Sequence, residues 1–401
     1  MMGFSPDRSL LPAVVLGLGS ITGLQTARIL AGHRVPVIGV AKERNHFAST
    51  RVCDRVIYSD TTTDEFVGAL ETLGPTLATK AVLVPCTDLT VLMVSRNRER
   101  LASWYHVVLP DADVVELLMH KHTFYEYAQR EGFRVPRTLF LESRADAEHA
   151  VETLPFPCVM KPTMKTRAWD DLAGAKAYKV ATADEFLSIY DRTAPLAEGI
   201  LAQEWISGGE SSLFSCNCYF DADSKPLVTF VARKVRQWPP QTGTSSLGVE
   251  CRNDVVLEQT LKLFERVGLR GLGYLEVKRD ERTGDHVIVE PNIGRQTVRG
   301  PIAEVGGVDL LYTMYCDTVG LPLPPNREQT YSGAKWIYLE KDLRSALHYR
   351  RRGELTLSEW VQSMRGPKSD ALISWRDPAP CVLDLVRGAR IIANRLTERQ
   401  A

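Results

Sequence analysis

Three oxygen-bearing side chains stand close together late in the chain. Glu276 sits in Gly273-Tyr-Leu-Glu-Val277, and Glu290 and Asn292 sit in Val287-Ile-Val-Glu-Pro-Asn292. A polar turn with a glycine, Glu281-Arg-Thr-Gly284-Asp285, separates the two apolar runs and predicts a hairpin that brings the trio to one face. Carboxylates held together repel unless a cation lies between them. Two carboxylates and an amide supply the hard oxygens that Mg²⁺ takes, with phosphate oxygens completing its octahedron. The alternative is a purely structural role for the three.

Other residues suit the same chemistry. Lys161 ends the apolar stretch Cys158-Val-Met-Lys-Pro162, where an ammonium is costly unless it meets an anion or reaches solvent. A polar stretch, Thr163–Gly174, follows and could fold over phosphates. Lys176 and Lys179 then fall on opposite faces of a strand, so only one can face a given ligand. Gln203-Glu204-Trp205-Ile206 runs into Ser-Gly-Gly209-Glu210, a hinge whose backbone can read an adenine edge and whose carboxylate can bind ribose. Arg233, Lys234 and Arg236, then Arg295 and Arg299, supply cations suited to carboxylates and phosphates.

The elements that must position these groups follow from periodicity. Residues 12–19 read as a buried strand, 20–31 as a helix and 35–40 as a second strand, the opening of a doubly wound α/β domain. Further strands at 80–85 and 105–109 carry that domain to about residue 113. Its first turn, Gly17, Gly19 and Gly23, spaces its third glycine one place late for a dinucleotide fingerprint and reads as a tight turn that only glycine fits. A helix is predicted over 114–132. Short strands at 158–161, 175–181, 200–206, 211–220, 226–232, 272–279 and 286–290, with helices at 252–267 and 303–318, predict antiparallel sheets. Residues 331–401 read as a mainly helical extension, with a capping box at Thr356/Glu359 and a basic amphipathic helix from Asp377-Pro378 onward, docked on its own protein.

The chain has 401 residues, enough for two or three units at roughly 150 residues each. Lys+Arg and Asp+Glu both number 49, which argues against nucleic-acid binding by general charge attraction. No stretch approaches the about 20 apolar residues that span a membrane, so no membrane partner is expected. The eight cysteines are scattered without metal-ligand spacing and read as buried thiols of a reduced, cytoplasmic protein. Cys216 and Cys218 should share one sheet face.

Taken in chain order, these residues resemble the ATP-grasp superfamily, most closely its carboxylate–amine ligase branch, over about residues 1–320. The resemblance implies a pre-ATP-grasp domain at 1–113, an ATP-grasp domain at 114–330 with a lid at about 136–204, and the extension at 331–401. It implies that Lys121, Lys161 and one of Lys176 or Lys179 hold the phosphates of ATP. By the same resemblance, Gln203, Glu204, Trp205, Ile206 and Glu210 would form the nucleoside hinge. Glu276, Glu290 and Asn292 would hold Mg²⁺, or Mn²⁺ in its place. Arg295, with Arg236 or Arg299, would steady a carboxylate and a tetrahedral oxyanion. The implied reaction joins a small, amino-acid-like carboxylate to an amine through an acyl phosphate, releasing ADP and phosphate, in an enzyme of a type that is often a homodimer. The family's usual E-x-N-P-R is here Glu290-Pro-Asn-Ile-Gly-Arg295, with the arginine one residue late. Rival readings are a non-catalytic nucleotide-binding protein, a carboxylase that uses bicarbonate, and a nicotinamide oxidoreductase built on the Gly17 turn.

Overall fold

The computed structural model describes residues 6–163, 167–173, 177–240 and 243–387. Five strands, β1 (Ala13–Leu16), β2 (Val37–Ala41), β3 (Arg55–Tyr58), β4 (Ala81–Pro85) and β5 (Tyr105–Val107), form a parallel sheet in the order β3-β2-β1-β4-β5. β1, β2 and β4 are buried throughout, as parallel strands covered on both faces must be. The turn after β1 is tight for the reason its glycines suggest. Gly17 has φ +95°, and a Cβ on Gly23 would lie 2.2 Å from the Gly17 carbonyl oxygen. The first turn of helix Ile21–Gly32 therefore sits directly on the backbone of the loop.

Four strands, β6 (Thr138–Leu141), β7 (Cys158–Pro162), β8 (Tyr178–Val180) and β9 (Ile200–Glu204), form an antiparallel sheet ordered β6-β9-β7-β8. One face packs on helices Arg144–Thr153 and Ala183–Thr193 through Ala147, Met160, Phe186 and Ala202. This core lies wholly within the segment expected to be a lid.

The third sheet has seven strands: β10 (Leu213–Phe220), β11 (Pro226–Trp238), β12 (Thr244–Glu250), β13 (Gly271–Arg279), β14 (His286–Ile293), β15 (Lys335–Ile337) and β16 (Lys368–Asp370). Their order is β14-β13-β10-β11-β12-β15-β16. Cys216 and Cys218 share one buried face with Phe220 and Leu275, packed on Leu263 and Phe264 of helix Asp254–Arg266. The opposite face buries Tyr219, Phe230 and Leu272 against the helices that follow β14 and against the parallel sheet. Both apolar cores of this sheet continue into residues of the first 113, such as Val14, Leu83 and Val84.

Several elements differ from the sequence expectation. The helix expected over 114–132 is two, Ala112–Met119 and Lys121–Arg130, because His120 adopts an extended backbone (φ −91°, ψ 119°). The helix expected over 303–318 is likewise two, Pro301–Val305 and Leu310–Val319, parted at Gly306-Gly307, where Gly307 has φ +79°. The C-terminal region is not only helical: β15 and β16 extend the large sheet beyond β12, and helices Leu339–Arg351 and Leu357–Ser363 join them. The last expected helix is described over 379–387, and the rest of it, with Arg390 and Arg395, lies outside the described residues.

Candidate active site

The hairpin of β13 and β14 pairs Glu276 directly with Glu290, and Tyr274 with Asn292. Residues opposite one another on antiparallel strands share a face, so both carboxylates and the amide point the same way. Each carboxylate is half-buried, and among the described residues neither has a hydrogen-bond or ion-pair partner. Like charges placed so are destabilising unless a cation joins them. The donor set, two carboxylates and an amide oxygen, fits a hard divalent cation.

Arg299 completes this face. Its guanidinium is 2% exposed and donates to Ser245 Oγ at 3.0 Å and to Ser215 Oγ at 2.8 Å. Ser215 on β10 stands directly opposite Glu276. Arg299 Nε has no partner although it is buried. Burial lowers the proton affinity of this guanidinium, and the charge of Glu276 opposes that shift. A glycine makes room for the side chain: a Cβ on Gly248 would lie 2.8 Å from Arg299 Cδ. A buried cation with an unsatisfied donor is suited to receiving an anion.

The four-stranded sheet supplies cations on one face. Strand pairing aligns Val159 with both Lys179 and Gln203, and Lys161 lies two residues along β7 from Val159. Lys161, Lys179 and Gln203 therefore share a face, opposite the apolar core of that sheet. Lys161 Nζ donates to Gln203 Oε1 at 3.1 Å, and Gln203 Nε2 donates to Thr138 Oγ1 at 2.7 Å. Lys179 Nζ lies 4.5 Å from the centre of the Trp205 ring, and Lys278 Nζ lies 4.9 Å from it. Burial, with the nearby charge of Lys179, lowers the proton affinity of Lys278, and Glu281 opposes the shift. Lys176 lies outside the described residues. Lys121 begins its helix and donates to the Thr163 carbonyl at 3.1 Å, beside a cavity of about 250 Å³ that also involves His122 and Phe140. In the hinge, Glu204 lies 3.9 Å from Arg282, and Ile206 is buried.

Two expected residues are engaged elsewhere, and a third bridges the site. Arg236 is engaged away from the Glu276/Glu290 face. It makes a two-pronged ion pair with buried Asp342 at 2.9 and 2.8 Å and donates to Ser363 Oγ at 2.9 Å, because register shifts on either side of it turn the strand there. Both oxygens of Glu210 are engaged, by the Tyr349 hydroxyl at 2.6 Å and the Gln237 N–H at 2.8 Å, so it braces the hinge against the C-terminal region and is not placed to take ribose hydroxyls. Arg295 donates to Asp88 Oδ1 at 2.6 Å, Tyr274 Oη at 2.7 Å and Asn292 Oδ1 at 2.7 Å. Its late position in the motif thus leaves it bridging the parallel-sheet unit and the amide of the trio.

Sequence reasoning missed Lys278, Ser215, Ser245, Gly248 and Asp88. Lys278 carried a readable signal, since it lies two residues from Glu276 on the same strand and so shares its face. The others meet the site only through strand pairing and chain packing.

Solved structures share this fold. The chain superposes on N5-carboxyaminoimidazole synthetase from Staphylococcus aureus in complex with ADP with a TM-score of 0.63, at 13% identity, over 82% of each chain. It superposes on biotin carboxylase from Campylobacter jejuni at 0.62, with 14% identity, over 82% of this chain and 75% of that one. Phosphoribosylglycinamide synthetase from Anaerococcus prevotii matches at 0.57, with 15% identity, over 78% and 75%. The fold is ATP-grasp. The β6–β9 sheet carries Lys161 and Lys179, and the seven-stranded sheet carries the carboxylate pair. In sequence, the chain is 24% identical over 223 residues to a D-aspartate ligase from Enterococcus faecium (strain Aus0004), a match covering 53% of each. The chain thus spans about half the length of the curated relative it matches. No protein-family model matches it.

Proposed function

We propose that this chain is an ADP-forming ligase that joins a carboxylate to an amine through an acyl phosphate, with Mg²⁺ and ATP. The observation that carries the reading is the directly opposed Glu276/Glu290 pair with Asn292 one step along the hairpin and the buried, incompletely bonded Arg299 beside it. These residues fit a divalent cation and an anionic substrate group. Glu276, Glu290 and Asn292 would hold Mg²⁺, or Mn²⁺, and that ion would neutralise charge on the phosphates during transfer. Lys161 and Lys179 on the lid, and Lys121 at its base, would hold the phosphates. Gln203, Glu204, Trp205 and Ile206 would bind the nucleoside, with Lys278 joining the cations around Trp205. Lys176 remains a candidate from the resemblance alone.

In this scheme the substrate carboxylate attacks the γ-phosphorus, and ADP leaves. The amine then adds to the acyl carbon and phosphate departs, leaving an amide. Of the two arginines expected to assist Arg295, Arg299 is the one beside the carboxylate pair, and its guanidinium would stabilise negative charge on the substrate oxygen. Arg295 orients Asn292 and links it to Asp88. No covalent enzyme intermediate is required.

The match to a D-aspartate ligase supports an amino-acid-like carboxylate, with aspartate the first to assay. A homodimer is supported by the dimeric biotin carboxylase domain of Hydrogenobacter thermophilus among the structural neighbours. An ATP-consuming reaction and eight unpaired cysteines support a cytoplasmic setting. No helix among the described residues is long and apolar enough to cross a membrane.

The test is an ADP-release assay with Mg²⁺-ATP, a panel of ¹⁸O-labelled amino-acid carboxylates and a panel of amines. Label passing into phosphate, together with an amide product, is the expected result. Release of AMP and pyrophosphate would exclude the acyl-phosphate route. Bicarbonate-dependent ADP release would favour carboxylation, the reading that the carboxylase neighbours support. Glu290→Gln should abolish ADP formation in a protein whose circular dichroism is unchanged.

A further inference from the structure

A second group of ligating side chains lies outside the residues assigned to the cleft. His33 closes the C-terminal end of helix Ile21–Gly32, Glu304 belongs to helix Pro301–Val305, and Asp309 directly precedes helix Leu310–Val319. One donor atom from each lies within 4.8 Å of the other two, and His33 Nε2 is 3.8 Å from Asp309 Oδ1. All three side chains are half-buried.

The surroundings hold these groups in place. The imidazole stacks on Tyr312 with ring centres 3.9 Å apart and planes 7° from parallel, and Tyr312 in turn stacks on Tyr315 at 6.0 Å. Asn326 Nδ2 lies 3.5 Å from the other oxygen of Asp309, and the Leu311 N–H reaches Glu304 Oε1 at 3.4 Å. Two carboxylates thus converge in partial burial, which disfavours their charges. Imidazole is the commonest metal ligand, and carboxylates join it at divalent transition-metal sites. The carbonyl end of helix Ile21–Gly32 adds negative potential at the same place.

We propose that His33, Glu304 and Asp309 bind one divalent transition-metal ion of the Zn²⁺ or Mn²⁺ kind. One imidazole and two carboxylates suit such an ion better than Mg²⁺, and water completes its coordination. Ligand bonds of about 2.0–2.2 Å require the donors to draw together by roughly an ångström. The ion would clamp the end of the first helix of the parallel-sheet unit to the helices that follow β14. The site is independent of the proposed ligase chemistry.

The untagged chain, stripped with chelator and without nucleotide, is titrated with Co²⁺ and then Zn²⁺, following the cobalt d–d bands and equilibrium dialysis. One equivalent should bind, and it should remain in Glu290→Gln, which disables the cleft's cation site. Affinity should fall more than about tenfold in His33→Ala and in Glu304→Gln. Zn²⁺ should raise the melting temperature of the wild type and leave that of His33→Ala unchanged. Far-UV circular dichroism of the metal-free variants checks their folding, and Asp309→Asn serves if either fails to fold. Absence of binding, as when Glu304 and Asp309 merely share a proton, overturns the site. So does binding that survives these substitutions.

Discussion

Arg299 concentrates the electrostatic problem of the cleft in one side chain. Its guanidinium is buried, two serine hydroxyls satisfy part of it, and Nε has no partner. Two hydroxyls do not neutralise the charge, so an incoming anion gains from it in a setting that screens poorly. Replacing Arg299 by Lys keeps the charge but loses the fork. We expect ADP formation in Arg299→Lys to fall by about 10²–10³-fold, the range seen when one preorganised donor is removed. Steady-state kinetics on a variant of unchanged melting temperature checks this. Gly248→Ala tests the same point without touching a charged group. Its new methyl would meet Arg299 Cδ, displacing the guanidinium, so kcat should drop while the KM for ATP changes little.

At the scale of elements, β11 and β12 of the large sheet depend on the C-terminal helices. Asp342, at the start of helix Leu339–Arg351, is fully buried and accepts hydrogen bonds from Arg236, Ser246 Oγ at 3.1 Å and Trp360 Nε1 at 2.9 Å. Removing one member of a buried pair strands the other, at a cost of about 3–5 kcal/mol. Asp342→Ala should therefore lower the denaturant midpoint strongly. Arg236→Met together with Asp342→Leu should recover most of that loss, with ligase activity retained. Loss of activity in the double variant at full stability would return Arg236 to the cleft. The reason Arg236 looked catalytic is plain: Arg233-Lys-Val-Arg236 is a dense basic run, and its direction is set by two register shifts that leave no mark in composition. The helix breaks at His120 and Gly306-Gly307 are similar. Gly306-Gly307 is readable as punctuation, whereas nothing local at His120 forbids a continuous helix.

For the molecule as a whole, the region after residue 330 behaves as part of the body. β15 covers the edge of β12, β16 covers β15, and Glu250 accepts hydrogen bonds from Tyr331, Ser332 and Ala334. Farther on, buried Asp377 takes the Arg28 guanidinium at 2.9 Å and the Thr50 hydroxyl at 2.6 Å, tying this region to helix Ile21–Gly32 and to the loop before β3. A protein ending at Thr330 loses all of these and exposes a sheet edge. It should be recovered as aggregate, judged by size-exclusion chromatography. A soluble, cooperatively melting product would show that the extension is dispensable.

What the sequence determined alone is what depends on short-range order. Alternation and the turn at Gly284 placed Glu276, Glu290 and Asn292 on one face, the strand-turn-helix start followed from buried runs and glycines, and the lysine of β7 stood out because charge is rare in an apolar strand. The tertiary structure decided which of the many cations are available to a ligand. A guanidinium's environment is made by residues far away in the chain: Asp342 captures Arg236 across 106 positions, while Ser215 and Ser245 leave Arg299 incompletely satisfied. Charge partners at such separations are set by how sheets pair and pack, and no local pattern records them.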